Sequence, residues 1–386
     1  MVLALVLALS EVSFMQDRRF VAAGASVGAP YSAAVAAGGF VFLSGVGGTG
    51  DDGRLVGPDI ESQTRRTIAR LASALDASGS SLAQTVAVQV YLRSASDFAA
   101  MNDAYRPFFA DKPPVRTAVV ADLPDGALVA MSAIAVPQGA PREVLHPAGW
   151  VKSPRPYSLI VKAGGLVFLA GLVSRRGADD SIVLGPVSLQ TRTILDNAGV
   201  LLKTAGVTYA DVVAARVFLA DDTFFESMND EYRPFFANAP PARATAIAGL
   251  MSPELSVEIA LVATTGRKDV LGPSVAPSLP LSSAVRTGDV VFLSGVLGNT
   301  DANATDITSQ TRETLARVGR ALESAGLSFR HVVDSTIYLP DLWQQKSVDD
   351  IYREFFPNEP PARTSIGARL VARTGLIEMM MTAVGR

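Results

Sequence analysis

Apolar positions along this chain follow one plan three times. Short runs reading "GFVFLSG", "GLVFLAG" and "DVVFLSG" predict strands that end in a small residue and a glycine. A weaker apolar run precedes each, and a variable glycine or polar loop follows. Next comes a long helical pattern, "DIESQTRRTIARLASALDASG" in the first copy, with Ile60, Ile68, Leu71 and Leu75 at helical spacing. An acidic start and a terminal Gly79 bound it, and Gly206 and Gly326 close its equivalents. The β-branched run "TVAVQVYL" predicts a buried strand. A second helix carries "DFAAMNDAYRPFF", with Phe98, Met101, Tyr105 and Phe108 on one face and Pro107 positioned to end or kink it. A Pro-Pro pair then turns the chain into two closing strands. The order β-β-α-β-α-β-β describes an α+β layer domain, with helices covering one face of a sheet.

The repeat is long. Arg116, Arg243 and Arg363 are separated by 127 and 120 residues, and Tyr105, Tyr232 and Tyr352 repeat those two intervals, as do Gln63, Gln190 and Gln310. Such a period is a whole domain rather than a solenoid unit. The expected division is an apolar leader or tail over 1–19, then domains over 20–140, 141–267 and 268–386, with joints in the Pro/Gly-rich stretches "VPQGAPRE" and "TTGRKDVLGP". One face of each sheet stays uncovered by helices. Three like sheets around a pseudo-threefold axis would bury those faces against one another, so a monomeric intrachain pseudo-trimer is expected, with further oligomerisation open.

Composition narrows the chemistry. The 386 residues contain no cysteine, which excludes thiolate nucleophiles and cysteine-ligated metals. The two histidines, His146 and His331, lie in different copies without spaced partners, so they read as surface loop residues and no metal site is expected. The net charge is −3 and no basic run stands out, which argues against a nucleic-acid partner and against ribonuclease chemistry. The apolar run over residues 1–9 is too short to span a bilayer. It has the look of a signal-peptide core without its basic start, so a cytoplasmic location is expected, or a periplasmic or secreted one if residues 1–10 are a truncated leader.

The motifs "APYSAAV" at 29–35, "SG" at 44–45, "NDAYRPFF" at 102–109, "PPVRT" at 113–117, "RPYSLIV" at 155–161 and "VEIALVA" at 257–263 occur in order. In this the chain resembles the Rid family, the reactive intermediate deaminases also called YjgF-like proteins, from about residue 20 onward. The resemblance implies a chorismate-mutase-like fold, homotrimer-like packing with clefts between neighbouring units, and cofactor-free hydrolysis of 2-imino or enamine acids to 2-keto acids and ammonia.

Site residues follow residue by residue. A guanidinium presents a rigid fork to a carboxylate, so Arg116, Arg243 and Arg363 are candidate binders of a small carboxylate-bearing substrate, the alternative being a structural pin through an internal acid. The resemblance places a water-orienting glutamate on the last strand, at Glu258 and Glu378, with Ala130 in the first copy. It also places Tyr31 and Tyr157 (Leu281 in the third copy), the strand-end Ser44 and Ser294 (Ala170 in the second), the following Gly45, Gly171 and Gly295, and Asn102 and Asn229 (Asp349 in the third) at the site. The serine, tyrosine and asparagine groups serve either substrate binding or local packing. The helical Tyr105, Tyr232 and Tyr352 read as core.

No copy holds the full set, so completeness belongs to pairs of copies. One arrangement sets the first copy's Tyr-Ser-Asn group against an Arg-Glu group from a neighbour, with at most one or two clefts catalytic. Besides the deaminase, two other readings stand: a diverged hydrolase or biosynthetic enzyme of the chorismate-hydrolase kind, and a non-catalytic small-molecule-binding pseudo-trimer.

Overall fold

The computed structural model describes residues 18–22, 28–274 and 279–385. The expectation about a leader at residues 1–10 lies outside these residues.

Unit 1 contains β1 (Arg19–Val21), β2 (Ala34–Ala37), β3 (Phe40–Gly47), α1 (Ile60–Ala77), β4 (Thr85–Leu92), α2 (Phe98–Tyr105), β5 (Val115–Val120) and β6 (Val129–Ala135). Unit 2 repeats this with β7 (Arg142–Leu145), β8 (Ile160–Ala163), β9 (Leu166–Leu169), α3 (Val187–Thr204), β10 (Val212–Leu219), α4 (Phe225–Tyr232), β11 (Ala242–Ile247) and β12 (Val257–Thr264). Unit 3 has β13 (Asp269–Ser274), β14 (Ser282–Thr287), β15 (Val290–Leu293), β16 (Val296–Leu297), α5 (Ile307–Ser324), β17 (Val332–Leu339), α6 (Gln345–Phe355), β18 (Ala362–Gly367), β19 (Arg369–Leu370) and β20 (Glu378–Val384).

Each sheet runs in one order: β1-β2-β3-β6-β4-β5, then β7-β8-β9-β12-β10-β11 with β19 added at its edge, then β13-β14-β15-β20-β17-β18. β4 and β5 are parallel across the α2 crossover, as are β10 with β11 and β17 with β18. The plan expected from the sequence is therefore present with one more strand in units 1 and 2 and three more in unit 3, where the short β16 pairs with β20 and β19 with β11. β7 and β13 arise in the stretches read as joints, where they pair with β8 and β14 at the sheet edge. An edge strand makes one ladder only and tolerates Pro and Gly nearby, which hid it in the pattern.

Local chemistry explains the helices. Asp59 caps α1 by accepting from the Ser62 N–H, and Gly79 takes φ +71 just past its end. After Tyr105 the chain tightens into a 3₁₀ turn over Arg106–Phe109, because Pro107 cannot continue the α pattern. This turn corrects one expected position. Phe108 is 36% exposed, and Phe109 is the buried ring, stacked on Tyr105 with centroids 4.4 Å apart.

Each helix pair covers one face of its own sheet, giving three separate cores. The opposite faces meet in a fourth core drawn from all three units, in which Phe40 packs edge-on against Phe168 at 5.9 Å and Phe218 against Tyr338 at 6.4 Å. Burying each such ring removes water from roughly 150–250 Å² of surface, and this apolar burial joins the units.

Polar pins set the units' mutual register. Proline lacks an N–H, so a Pro-Pro turn offers carbonyls alone. Ser158 of unit 2 donates its N–H to Pro114 O (3.0 Å) and its hydroxyl to Pro113 O (2.6 Å) of unit 1. Ser282 of unit 3 does the same to Pro241 and Pro240 of unit 2, and Ser32 of unit 1 to Pro361 and Pro360 of unit 3. Three equivalent contacts close a ring of three units.

Candidate active site

The ring brings the repeated arginine at the start of one unit's fifth-position strand against the next unit. Three clefts result: the first between units 1 and 2, the second between units 2 and 3, the third between units 3 and 1.

In the first cleft Arg116 is 4% exposed. Its guanidinium lies over the rings of Phe98 (5.5 Å), Tyr105 (5.0 Å) and, from unit 2, Tyr157 (5.3 Å). Nη2 donates to Asn102 Oδ1 at 2.6 Å, and Nη1 has no hydrogen-bond partner. Burial pulls the guanidinium below its usual pKa, against the opposing influence of Tyr105, Tyr157 and Glu258. Glu258 arrives from β12 of unit 2, 4% exposed, with Oε1 accepting from the Ala118 N–H of unit 1 at 3.2 Å. Burial pushes its carboxyl up to about 8, although the Ala118 N–H and Arg116 favour the charged form. A cavity of about 380 Å³ opens between these groups, lined also by Gly171, Met251 and Leu255.

The second cleft keeps this pair. Arg243, 1% exposed, lies 4.9 Å over Tyr232 and 5.9 Å over Phe225. None of its three guanidinium nitrogens has a hydrogen-bond partner, nor does either amide atom of Asn229. Glu378 comes from β20 of unit 3, and burial pushes it to about 8 against the pull of the Thr245 N–H and Arg243. Leu281 stands where the first cleft has Tyr157.

The third cleft differs. Arg363 lies between the rings of Tyr31 (5.1 Å) and Tyr352 (5.0 Å) but forms a 2.8 Å ion pair with Asp349 through Nη1, without hydrogen-bond alignment. Gln345 replaces the phenylalanine platform, and its amide donates to Asp349 at 2.6 Å. Ala130 stands at the glutamate position.

The arrangement of contributors thus differs from the one drawn from sequence. Arginine and asparagine come from one unit; tyrosine, strand-end residue, glycine and glutamate come from the next. Tyr31 and Ser44 face Arg363 of unit 3, and Asn102 stays with Arg116 of its own unit. The strand-end serines also take a different part. Ser44 accepts from the Arg363 N–H (2.7 Å) and donates to Ser32 O (2.5 Å), and Ser294 does the same between Arg243 (2.8 Å) and Ser282 O (2.5 Å). Both hydroxyls are occupied in holding the arginine strand across the interface, and Ala170 makes no such bond. Two of the glycines donate their N–H groups to the arginine carbonyl, Gly171 to Arg116 (3.1 Å) and Gly295 to Arg243 (3.0 Å). They also make room for the acid: a Cβ on Gly171 would sit 2.0 Å from Glu258 Oε1, and on Gly295 1.8 Å from Glu378 Oε1.

Sequence reasoning missed Phe98 and Phe225 as platforms, because they also satisfy the apolar helical pattern. It missed Arg155 and Arg175, which line the first cavity and share Asp180. His146 bonds the Trp150 carbonyl (3.1 Å), and His331 caps its own 3₁₀ turn by accepting from the Ser328 N–H (3.0 Å). Among the described residues no group of three or more His, Cys, Asp or Glu is placed to hold a metal ion, and no helix is long and apolar enough to cross a membrane.

Three tandem units of this fold, with arginine–glutamate pairs assembled between neighbours, define a class of cleft-forming α+β proteins. The sequence model of the Endoribonuclease L-PSP family matches residues 23–137, 151–265 and 273–385, and the chain belongs to that family, the Rid or YjgF-like proteins, as three tandem divergent copies. A RutC family protein of Pyrococcus horikoshii is 40% identical over 122 residues, covering 32% of this chain and 97% of that protein. The 3-aminoacrylate deaminase RutC of Acinetobacter baylyi is 31% identical over 123 residues, 32% of this chain and 98% of its own. A solved chorismatase covers 78% of this chain and 93% of its own with a TM-score of 0.53 at 11% identity, a likeness of fold.

Proposed function

We propose that the chain is a cofactor-independent hydrolytic deaminase, converting 2-imino or enamine acids to 2-keto acids and ammonia in the first and second clefts, while the third is silent. The observation that carries this reading is the buried arginine of one unit set against the buried, proton-holding glutamate of the next, present twice and absent once. The kinship with proteins named as deaminases supports the same class of reaction.

In this reading Arg116 or Arg243 grips the substrate carboxylate and fixes C2 beside the glutamate. A charged hydrogen bond of this kind contributes about 1.5–3 kcal/mol. Glu258 or Glu378 gives its proton to the imine nitrogen, which makes C2 electrophilic. Water adds to C2 as the resulting carboxylate takes a proton from it, forming a carbinolamine and restoring the acid. The hydroxyl proton then passes to nitrogen, the C–N bond breaks, and the keto acid and ammonia leave. For an enamine, the glutamate proton goes to C3 instead of nitrogen, which gives the iminium directly, and the addition of water follows unchanged. Burial keeps the acid protonated near neutral pH, as the first step needs.

The test generates 2-iminopropionate in situ and follows pyruvate release, with semicarbazide competing for the free imine. The expected result is faster release with the protein than without it. Equal rates across a panel of parent amino acids would remove the reading.

A further inference from the structure

The first cleft carries two cations whose matching positions in the other clefts are uncharged. Arg155 and Arg175 line the same cavity as Arg116 and Glu258. Both reach the one carboxylate of Asp180, Arg155 at 2.7 Å and Arg175 at 3.4 Å, and Arg175 also holds the Asp180 carbonyl at 2.6 Å. Every one of these bonds uses Nη1. Arg155 also interacts with the Tyr157 hydroxyl, and each side chain is about a quarter exposed or less, at 25% and 21%.

Two cations on one carboxylate leave a unit of positive charge in a partly desolvated wall, where an added anion is favoured. The positions matching Arg155, two residues before the Tyr or Leu, are Ala29 and Leu279; those matching Arg175, four after the strand-end glycine, are Thr49 and Asn299. Neither of these two cations recurs at the matching positions of the other clefts. Phe98, Val173, Met251 and Leu255 give the same cavity apolar walls, suited to a short methylene chain.

We infer that the first cleft takes 2-imino dicarboxylic acids, with Arg116 on the carboxylate next to the imine and Arg155 with Arg175 on the terminal one. The second cleft, with Arg243 but no counterpart of Arg155 or Arg175 at the matching positions, takes monocarboxylic substrates. The two clefts thus divide the substrates by charge. This inference rests on the proposed imino-acid reading of the site, but its test reads binding and so stands apart from turnover.

The experiment is calorimetric titration of the full chain carrying Arg243→Ala, which isolates the first cleft, with two product-like five-carbon ligands. One is 2-oxoglutarate; the other is 2-oxopentanoate, which has a methyl where the first has its terminal carboxylate. Binding of 2-oxoglutarate is expected to be about tenfold tighter, equal to one charged contact of about 1.4 kcal/mol. Adding Arg155→Ala and Arg175→Ala should bring it down to the level of 2-oxopentanoate while that ligand binds unchanged, which also reports an intact fold. Asp180→Asn, which frees both guanidiniums, should tighten 2-oxoglutarate further. Equal affinities in the starting protein, or equal losses for both ligands in the double variant, would overturn the assignment. A protein that turns over monocarboxylic imines but shows no dicarboxylate preference loses this inference and keeps the deaminase. One that prefers 2-oxoglutarate without turning over any imine loses the deaminase and keeps the second anion site.

Discussion

The first and third clefts are built on the same backbone and the same arginine, yet their electrostatics differ in kind. In the first, Arg116 shares one nitrogen with a neutral asparagine, keeps another without a partner, and faces Glu258 across a cavity. In the third, a single change from asparagine to Asp349 sets a carboxylate 2.8 Å from Arg363, and Ala130 removes the acid. A buried guanidinium needs an anion. Where the protein supplies that anion itself, the site is closed to a carboxylate ligand; where it does not, the substrate can supply it. The second cleft is an independent case on the open side, since no nitrogen of Arg243 is bonded.

The sharpest way to break this comparison is to remove each arginine. With Arg243→Ala as background, Arg116→Ala is expected to lower kcat/KM for an imino acid by roughly 100-fold, the loss of a charged fork. Arg363→Met in the otherwise unchanged chain should leave it within about 1.5-fold, since that side chain meets no substrate on this account.

Glycine contrasts come next. Gly171→Ala would press a Cβ against the Glu258 carboxylate, so first-cleft activity is expected to fall about tenfold or more through misplacement of the acid. Gly45→Ala meets Thr364 Cγ2 at 2.8 Å instead and should lower stability while sparing turnover.

Acidity separates the clefts more gently. Glu258 and Glu378 are raised in the folded state from 4.5 to about 8, so folding favours their protonated forms. Their contribution to stability is fully present below about pH 4.5 and is lost as pH rises through about 8. The unfolding free energy of the wild type from urea denaturation should therefore fall between pH 6 and pH 9, by roughly 5 kcal/mol for the two groups together. Glu258→Gln with Glu378→Gln, neutral at both values, should lack that component. Deamination should fade over the same rise, as the general acid loses its proton. The smallest expected effect is that of Ala170→Ser, which restores the hydroxyl pin on the Arg116 N–H and should stabilise the chain by about 1 kcal/mol in the same assay.

Much of this architecture was legible in the sequence because each unit is specified by local patterns that occur three times. The helices with their Asp59 and Gly79 boundaries, the strands beside them and the repeated arginines could be read directly, and the glutamate positions followed from the family resemblance. The partnership of units could not. It is set by backbone contacts such as Ser32 N–H to Pro361 O, which leave no periodic trace, so the owner of each cleft's acid stayed open. The cation pair was hidden for a related reason. Arg155 and Arg175 lie on separate loops and meet only because Asp180, at φ +59, turns the second loop back on itself. Phe108 was displaced from the expected face, and Phe109 took its place, through a 3₁₀ turn whose geometry the helical period does not describe.

The central claim is that two clefts work and one does not. Glu258→Gln and Glu378→Gln keep the size and the neutral form of the acids, so a chain carrying both should fold as the parent does. Its rate of 2-iminopropionate hydrolysis, measured against the uncatalysed reaction, is expected to fall to that background. Retention of about a third of the parent rate, the share of one cleft in three, would contradict the account, because it would place catalysis in the cleft that holds Asp349 and Ala130.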